Sequence, residues 1–223
     1  MRTTLVGRTL PLCICAVLLL AACTPGDGPA GVASGPGLVD PRIARLGLSG
    51  TSLGEGLEKP GFVLTDTGGE RFDFRRETAG FLTLLFFGYT NCPDICPGHL
   101  ASIAAGLDDL PPELRGRIRV VFVGVDVPRD TPQRIRAWLD RFDPGFIGLT
   151  GSPEEIEAAQ LASAVPPAFV DAEWEGGYSV GHASWVLVYT PDDLAHLRYR
   201  FGVGRKEWAH DLAVLARDGW PAT

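Results

Sequence analysis

The stretch FLTLLFFGYTNCPDICP, residues 81–97, decides the fold of this chain. Its apolar run, residues 81–87, is bounded by glycine on both sides and predicts a central strand buried on both faces. Cys92 and Cys96 follow this strand, and Pro97 suits the first turn of a helix, where its missing N–H costs nothing. Two thiols at a strand-to-helix turn can form a reversible disulfide or hold a soft metal such as Cu(I).

The elements around this stretch predict an α/β fold. The β-α-β order at the start implies a parallel strand pair, and a hairpin near the end implies an antiparallel pair. This mixed central sheet flanked by helices is thioredoxin-like, with an extra N-terminal hairpin and a hairpin insertion at Gly176-Gly177, before His182. The predicted strands are 61–64, 71–74, 81–87, 118–125, 146–149, 184–189 and 197–201, and the predicted helices are 99–110, 133–142, one opening at 152 and 206–215.

The N-terminus has the pattern of an export signal. Arg2 and Arg8 precede the apolar run 10–22, which is too short to span a bilayer comfortably. The run ends in Leu-Ala-Ala before Cys23 and resembles a bacterial lipoprotein signal, in which the cysteine is lipidated. An ordinary signal peptide or a signal anchor is the alternative. We expect an exported chain, lipid-anchored to the cell membrane, with its domain on the outer or periplasmic side.

The chain is predicted to divide into three parts. A signal peptide occupies residues 1–22 and a flexible tether rich in Gly and Pro occupies residues 23–56. The thioredoxin-like domain occupies residues 57–223.

Composition narrows the function classes. The net charge of −7 comes without a basic cluster, which excludes nucleic acid as a partner. Since Cys13 and Cys15 lie within the signal, the mature chain keeps Cys23, Cys92 and Cys96. An exported compartment permits disulfides, but one pair is too few for a disulfide scaffold. The pair is therefore expected to carry chemistry.

Three motifs, in order, resemble the Sco/SenC family of copper-binding, thioredoxin-like assembly factors. The first is GYTNCPDICP at 88–97, and the second is DVPRDTP at 126–132. The third is His182 with Ser184, before a strand that ends in YTPD at 189–192. The resemblance covers about residues 60–215.

The resemblance implies copper, as Cu(I) or Cu(II), with Cys92, Cys96 and His182 as its ligands. It implies a metallochaperone function in assembly of the CuA centre of cytochrome c oxidase, with oxidase subunit II as the partner. Other periplasmic copper chaperones or thioredoxin-like reductases are further expected partners. The family usually has an acidic residue before the histidine and serine after it, where this chain has Gly181 and Ala183. The missing carboxylate bears on copper affinity, because such a group can orient the imidazole.

The residues, considered without the family resemblance, are also compatible with other functions. A thiol-disulfide oxidoreductase, or a redox or copper sensor, would use Cys92 and Cys96 as a catalytic redox pair that forms a disulfide, without His182. The same three side chains could hold zinc, which would want a fourth ligand. A peroxidase-like thiol enzyme would need an activating neighbour, and Thr90 is a weak candidate. Residues 181–184, next to the site, contain no proline. This absence favours a metal-binding function over general thiol-disulfide exchange.

The residues beside the thiols invite simpler interpretations. Cys96 is expected at the helix N-terminus, where the helix dipole lowers a thiol pKa. His99 could be a competing ligand on the same helical face, but a solvated first-turn histidine is the preferred interpretation. Asp94 is expected to tune the thiolate charge, to contact a partner, or only to accept loop N–H groups.

The second motif and two aromatic residues complete the expected surroundings. Asp126, Arg129 and Asp130 follow the second central strand, at the sheet edge that faces the site. Asp130 is predicted to cap the following helix and Arg129 to form an ion pair. Tyr89 and Trp174 are expected to pack near the site or to shield it.

Overall fold

The computed structural model describes residues 40–221. The predicted signal peptide, the lipidation site Cys23 and residues 23–39 of the predicted tether lie outside this range. Within it, every helix is too short or too polar to cross a membrane.

The described residues form a mixed sheet with helices on both faces. The strands of the main sheet lie in the order β1-β10-β9-β4-β5-β6-β2-β3, with β7 and β8 as a separate hairpin. The strands are β1 (Thr51–Glu58), β2 (Val63–Asp66), β3 (Arg71–Asp73), β4 (Leu82–Gly88), β5 (Ile118–Gly124), β6 (Ile147–Thr150), β7 (Phe169–Trp174), β8 (Gly177–Gly181), β9 (Trp185–Tyr189) and β10 (Leu194–Arg200). The helices are α1 (Pro41–Leu46), α2 (Phe74–Glu77), α3 (Ile95–Asp108), α4 (Pro112–Arg115), α5 (Pro132–Leu139), α6 (Pro153–Ala162) and α7 (Arg205–Asp218).

The sheet confirms the predicted thioredoxin-like order. Strands β4, β5 and β6 pair in parallel, whereas β9 pairs antiparallel with β4 and β10 pairs antiparallel with β9. The predicted N-terminal hairpin is β2–β3, and the predicted insertion is β7–β8, which turns at Gly176.

Strand β4 lies in the middle of the sheet, and both of its faces are buried. Leu84 and Phe86 point into the core on the side of α3 and α7. Leu85 and Phe87 point into the core on the opposite side, beside Ile156 of α6. Since side chains alternate across a strand, burial on both faces requires the continuous apolar run seen in the sequence. The cysteine loop therefore begins at the end of a fully buried strand in the middle of the sheet.

The folded unit begins earlier than predicted, so the boundary at residue 56 is wrong. Helix α1 places Ile43 in the core, and β1 pairs with β10. Two glycines of the predicted tether belong to a β-bulge: Gly54 and Gly56 have φ of 71° and 96°, and the register of β1 shifts between Ser52 and Leu57. A bulge needs such backbone angles, which glycine adopts without strain.

Asp211 of α7 anchors this N-terminal segment. Its fully buried side chain accepts a hydrogen bond through Oδ2 from the Ser49 N–H at 2.7 Å and another from the Tyr199 hydroxyl at 2.9 Å. Burial raises the pKa of Asp211 above its ordinary value.

This raised pKa predicts the sign of a pH effect on stability. The folded chain holds the Asp211 proton more tightly than the unfolded chain, whose pKa is about 3.9. The contribution to stability is complete below that value and is lost as the pH rises through the folded-state pKa. Urea unfolding gives the unfolding free energy of the wild type and of Asp211→Asn at each pH. We expect the difference between them, wild type minus variant, to fall as the pH rises from about 4 towards neutrality. A difference that grows with pH would contradict the assignment.

Candidate metal centre

The two cysteines lie where β4 gives way to α3. Cys92 is in the loop and is partly exposed, whereas Cys96 is the second residue of α3 and is fully buried. The Cys96 N–H donates to the Cys92 Sγ at 3.4 Å, and both thiols are free. Helix α3 begins four residues before the predicted position, because Pro97 is tolerated in its first turn. The predicted place of Cys96 at the helix N-terminus is confirmed.

His182 approaches the thiols from the loop between β8 and β9. Its Nε2 lies 3.4 Å from the Cys96 Sγ. Its Nδ1 lies 2.9 Å from the Ala183 carbonyl oxygen, and a carbonyl can only accept, so Nδ1 carries the proton. The Nε2 lone pair therefore faces the sulfur.

These three side chains form the one group of potential metal ligands that residues 40–221 contain. One ligand atom each from Cys92, Cys96 and His182 lies within 4.8 Å of the other two. Two sulfurs and one imidazole nitrogen suit a soft ion, and thiolates select Cu(I) over hard ions. Three donors match a trigonal copper site, whereas zinc would lack its fourth ligand, so copper fits these residues better.

Aromatic rings surround the imidazole. The Tyr89 ring meets the His182 ring edge-on, with centroids 5.4 Å apart, and the Phe86 ring centroid is 6.1 Å away. Tyr89 is buried, as predicted for a packing residue. Trp174, at the end of β7, is 59% exposed and so is not a buried packing residue; it lines a surface cavity together with Tyr89.

The two thiols differ in electrostatics, contrary to the sequence prediction. Contacts with the Cys96 thiol and with the His182 ring, together with hydrogen bonds from backbone N–H groups, hold the pKa of Cys92 well below its usual range. Burial, reinforced by the neighbouring Cys92 thiolate, raises the pKa of Cys96. The predicted lowering at Cys96 is therefore wrong, because complete burial outweighs the helix dipole. The thiolate is carried by the more exposed sulfur.

This asymmetry predicts selective alkylation of the reduced protein. Because the Cys92 pKa is lowered, its thiolate is already present at pH values where an ordinary thiol, with a pKa of about 8.5, is protonated. We expect iodoacetamide at pH 6.5 to label Cys92 and to spare Cys96, as located by peptide mass spectrometry, with Cys92→Ser as the unlabelled control. Equal labelling of both residues, or a Cys92 rate that rises with a midpoint near pH 8.5, would contradict it.

The prediction that Asp130 caps α5 is wrong. The N-cap is Thr131, whose hydroxyl accepts a hydrogen bond from the Arg134 N–H. Asp130 is fully buried and accepts from the N–H and the hydroxyl of Thr90, at 2.9 and 2.7 Å, and from the Asp126 N–H at 3.2 Å. Because Thr90 lies two residues before Cys92, Asp130 fixes the start of the cysteine loop. Nothing in the sequence pairs positions forty residues apart, so sequence reasoning missed this role.

Three neighbouring predictions have mixed outcomes. Arg129 forms the predicted ion pair, with Asp126. Asp94 precedes α3, but its side chain caps no helix N–H. His99 is buried, not solvated, and its Nε2 lies 3.0 Å from the Ser184 carbonyl oxygen. It does not belong to the ligand group.

The fold and this group define a thioredoxin-like protein with a candidate metal site of two cysteines and one histidine. The order of the motifs and their geometry point to one family in particular. The chain belongs to the SCO1/SenC family, whose model matches residues 51–217.

Individual relatives agree with this assignment. A Stutzerimonas stutzeri protein with copper binding in its name is 42% identical over 110 residues, which are 49% of this chain and 53% of the relative. The mitochondrial Sco1 homolog 1 of Arabidopsis thaliana is 34% identical over 143 residues, which are 64% of this chain and 42% of the relative. The structure of Bradyrhizobium japonicum ScoI with copper bound is 31% identical, has a TM-score of 0.61, and covers 70% of this chain and 98% of that one. The chain spans about half the length of the curated relatives it matches.

Proposed function

We propose that this chain is a membrane-tethered copper metallochaperone that delivers copper for the CuA centre of cytochrome c oxidase subunit II. Copper is its cargo, held by Cys92, Cys96 and His182. The observation that carries the proposal is the convergence of these three ligand atoms within 4.8 Å of one another.

The unequal exposure of the ligands supports delivery rather than permanent storage. Cys96 is fully buried, whereas Cys92 and His182 are partly exposed. An accepting thiolate can therefore reach copper from the side of Cys92 and displace one ligand at a time, while Cys96 still holds the ion. A structural site would instead be closed on all sides.

The surface beside the site supports a protein partner. Phe169 and Trp174 of β7 are 61% and 59% exposed, and the hairpin also carries Asp171, Glu173 and Glu175. Exposed large apolar side chains on one surface element are typical of protein docking sites. The acids favour an accepting surface that carries Lys or Arg around an apolar centre.

The proposed tether matches the position of the folded unit. If Cys23 is lipidated, the stretch 24–39 separates the membrane surface from Asp40. Fully extended, a stretch of that length spans at most about 55 Å. Such a reach allows the copper site to meet a partner domain that projects from the same membrane.

A thiol-disulfide reductase is the second candidate, favoured by the pairing of a partly exposed thiol with a buried one. The Cys92 thiolate would attack a disulfide sulfur of the oxidase subunit, which forms a mixed disulfide and releases one target thiolate. The Cys96 thiol would lose its proton and attack the Cys92 sulfur. This step releases the second target thiol and leaves a Cys92–Cys96 disulfide, which a thioredoxin-like reductase would reduce again.

Copper transfer separates the two candidates. The reduced domain, without residues 1–23 and loaded with Cu(I), is mixed with the reduced soluble domain of subunit II from the same organism, and the two are then separated. We expect copper on the acceptor after incubation with the wild type and little after incubation with His182→Ala. If no copper moves, but an oxidised acceptor gains two thiols from the wild type and from His182→Ala alike, the reductase replaces the chaperone.

A further inference from the structure

We propose that His99 is a positioning residue that holds the loop carrying His182 in place for metal binding. The inference deepens the proposed function and rests on it where copper is concerned. It assigns a task to a buried histidine that is outside the ligand group.

His99 joins the cysteine helix to the histidine loop. It lies on α3, three residues after Cys96, and is 2% exposed. Its Nε2 lies 3.0 Å from the carbonyl oxygen of Ser184, two residues beyond His182. Because a carbonyl only accepts, the His99 Nε2–H is the donor.

The loop has few other attachments. Residues 182–184 lie between β8 and β9, and within the described part of the chain they make no backbone–backbone hydrogen bond. Two histidine rings bond to the loop's carbonyls: the His182 ring to Ala183 and the His99 ring to Ser184. The first bond lies within the loop. Apart from the contact between the His182 Nε2 and the Cys96 Sγ, the bond from His99 is therefore the one side-chain hydrogen bond, within residues 40–221, that ties the loop to another element.

The His99 ring is itself held on two sides. The Phe86 ring centroid is 5.1 Å away, and the Phe201 ring meets His99 edge-on at 5.5 Å. Phe201 also lies over Gly98, where a Cβ would come within 2.7 Å of its ring. Glycine at 98 thus lets Phe201 close against the helix. One helix therefore carries both the Cys96 ligand and a fixed support for the His182 loop.

Three variants test this assignment. His99→Leu removes the donor and keeps an apolar side chain of similar size. His99→Gln places an amide N–H where the His99 Nε2–H stands. His210→Leu is the matched control, because the His210 Nε2 also bonds a backbone carbonyl, that of Leu46, at 2.9 Å and away from the site.

The first readout needs no metal: amide hydrogen exchange in the reduced apo protein at residues 185–187, the start of β9, which follow the loop directly and pair with β10. We expect His99→Leu to speed this exchange about tenfold, His99→Gln to stay within about threefold of the wild type, and His210→Leu to match the wild type there. The second readout is Cu(I) affinity, which should fall about tenfold in His99→Leu alone.

Unchanged exchange in His99→Leu would overturn the proposal, as would equal losses in His99→Leu and His99→Gln. If the wild type binds no copper, the proposed function fails, and the exchange data still decide whether His99 positions the loop.

Discussion

Replacing Cys96 with serine is expected to lower Cu(I) affinity by at least a hundredfold, more than the loss usual for residues that only orient a ligand. The Cys96 Sγ lies 3.4 Å from the His182 Nε2 and within 4.8 Å of the Cys92 Sγ. A hydroxyl is a hard donor that stays protonated, so it replaces the shape of the thiol but not its bond to Cu(I). The measurement is a competition titration against a chromogenic Cu(I) chelator.

Two comparisons make this result specific. Cys92→Ser should lose affinity to a similar extent, whereas His182→Ala, which leaves both sulfurs, should lose less. Circular dichroism and the urea midpoint should show that Cys96→Ser stays folded. A folded Cys96→Ser protein with wild-type affinity would contradict the assignment of Cys96 as a ligand.

Replacing Asp130 with alanine is expected to cost about 3 kcal/mol of unfolding free energy, a large share of the stability of a typical domain. The change leaves the buried N–H groups of Thr90 and Asp126 without their acceptor. The Thr90 hydroxyl loses its acceptor as well. Urea unfolding of the reduced domain measures the loss.

The control for Asp130→Ala is Asp140→Ala. Asp140 pairs with Arg136 one turn earlier and is half exposed, so its loss should cost less than about 0.5 kcal/mol. If Asp130→Ala is no more destabilising than Asp140→Ala, then Asp130 does not hold the cysteine loop as we describe.

The parts of the fold that sequence could predict are those with a local cause. The run 81–87 is apolar except for Thr83, because β4 is buried on both faces. The helix predicted to open at residue 152 is α6, whose N-cap is Ser152 and whose first turn the structure closes with a capping box between Ser152 and Glu155. The placement of His182 beside the cysteines followed from the family resemblance and agrees with the geometry.

The parts that sequence could not predict depend on distant contacts. Gly54 and Gly56 look the same in a tether and in a bulge, and only pairing with β10 tells the two apart. The pKa of Cys96 depends on its burial against the sheet, which outweighs a local helix dipole. His99 lacks any local mark of its bond to Ser184, because the two residues meet only after β9 has joined the sheet.

X-ray absorption spectroscopy at the copper edge tests the central claim most directly. The sample is the reduced domain loaded with one Cu(I) per chain, measured beside His182→Ala. We predict two sulfur scatterers and one imidazole nitrogen in the wild type, and loss of the imidazole contribution in the variant. A copper shell without imidazole in the wild type, or an unchanged shell in His182→Ala, would contradict a centre built from Cys92, Cys96 and His182.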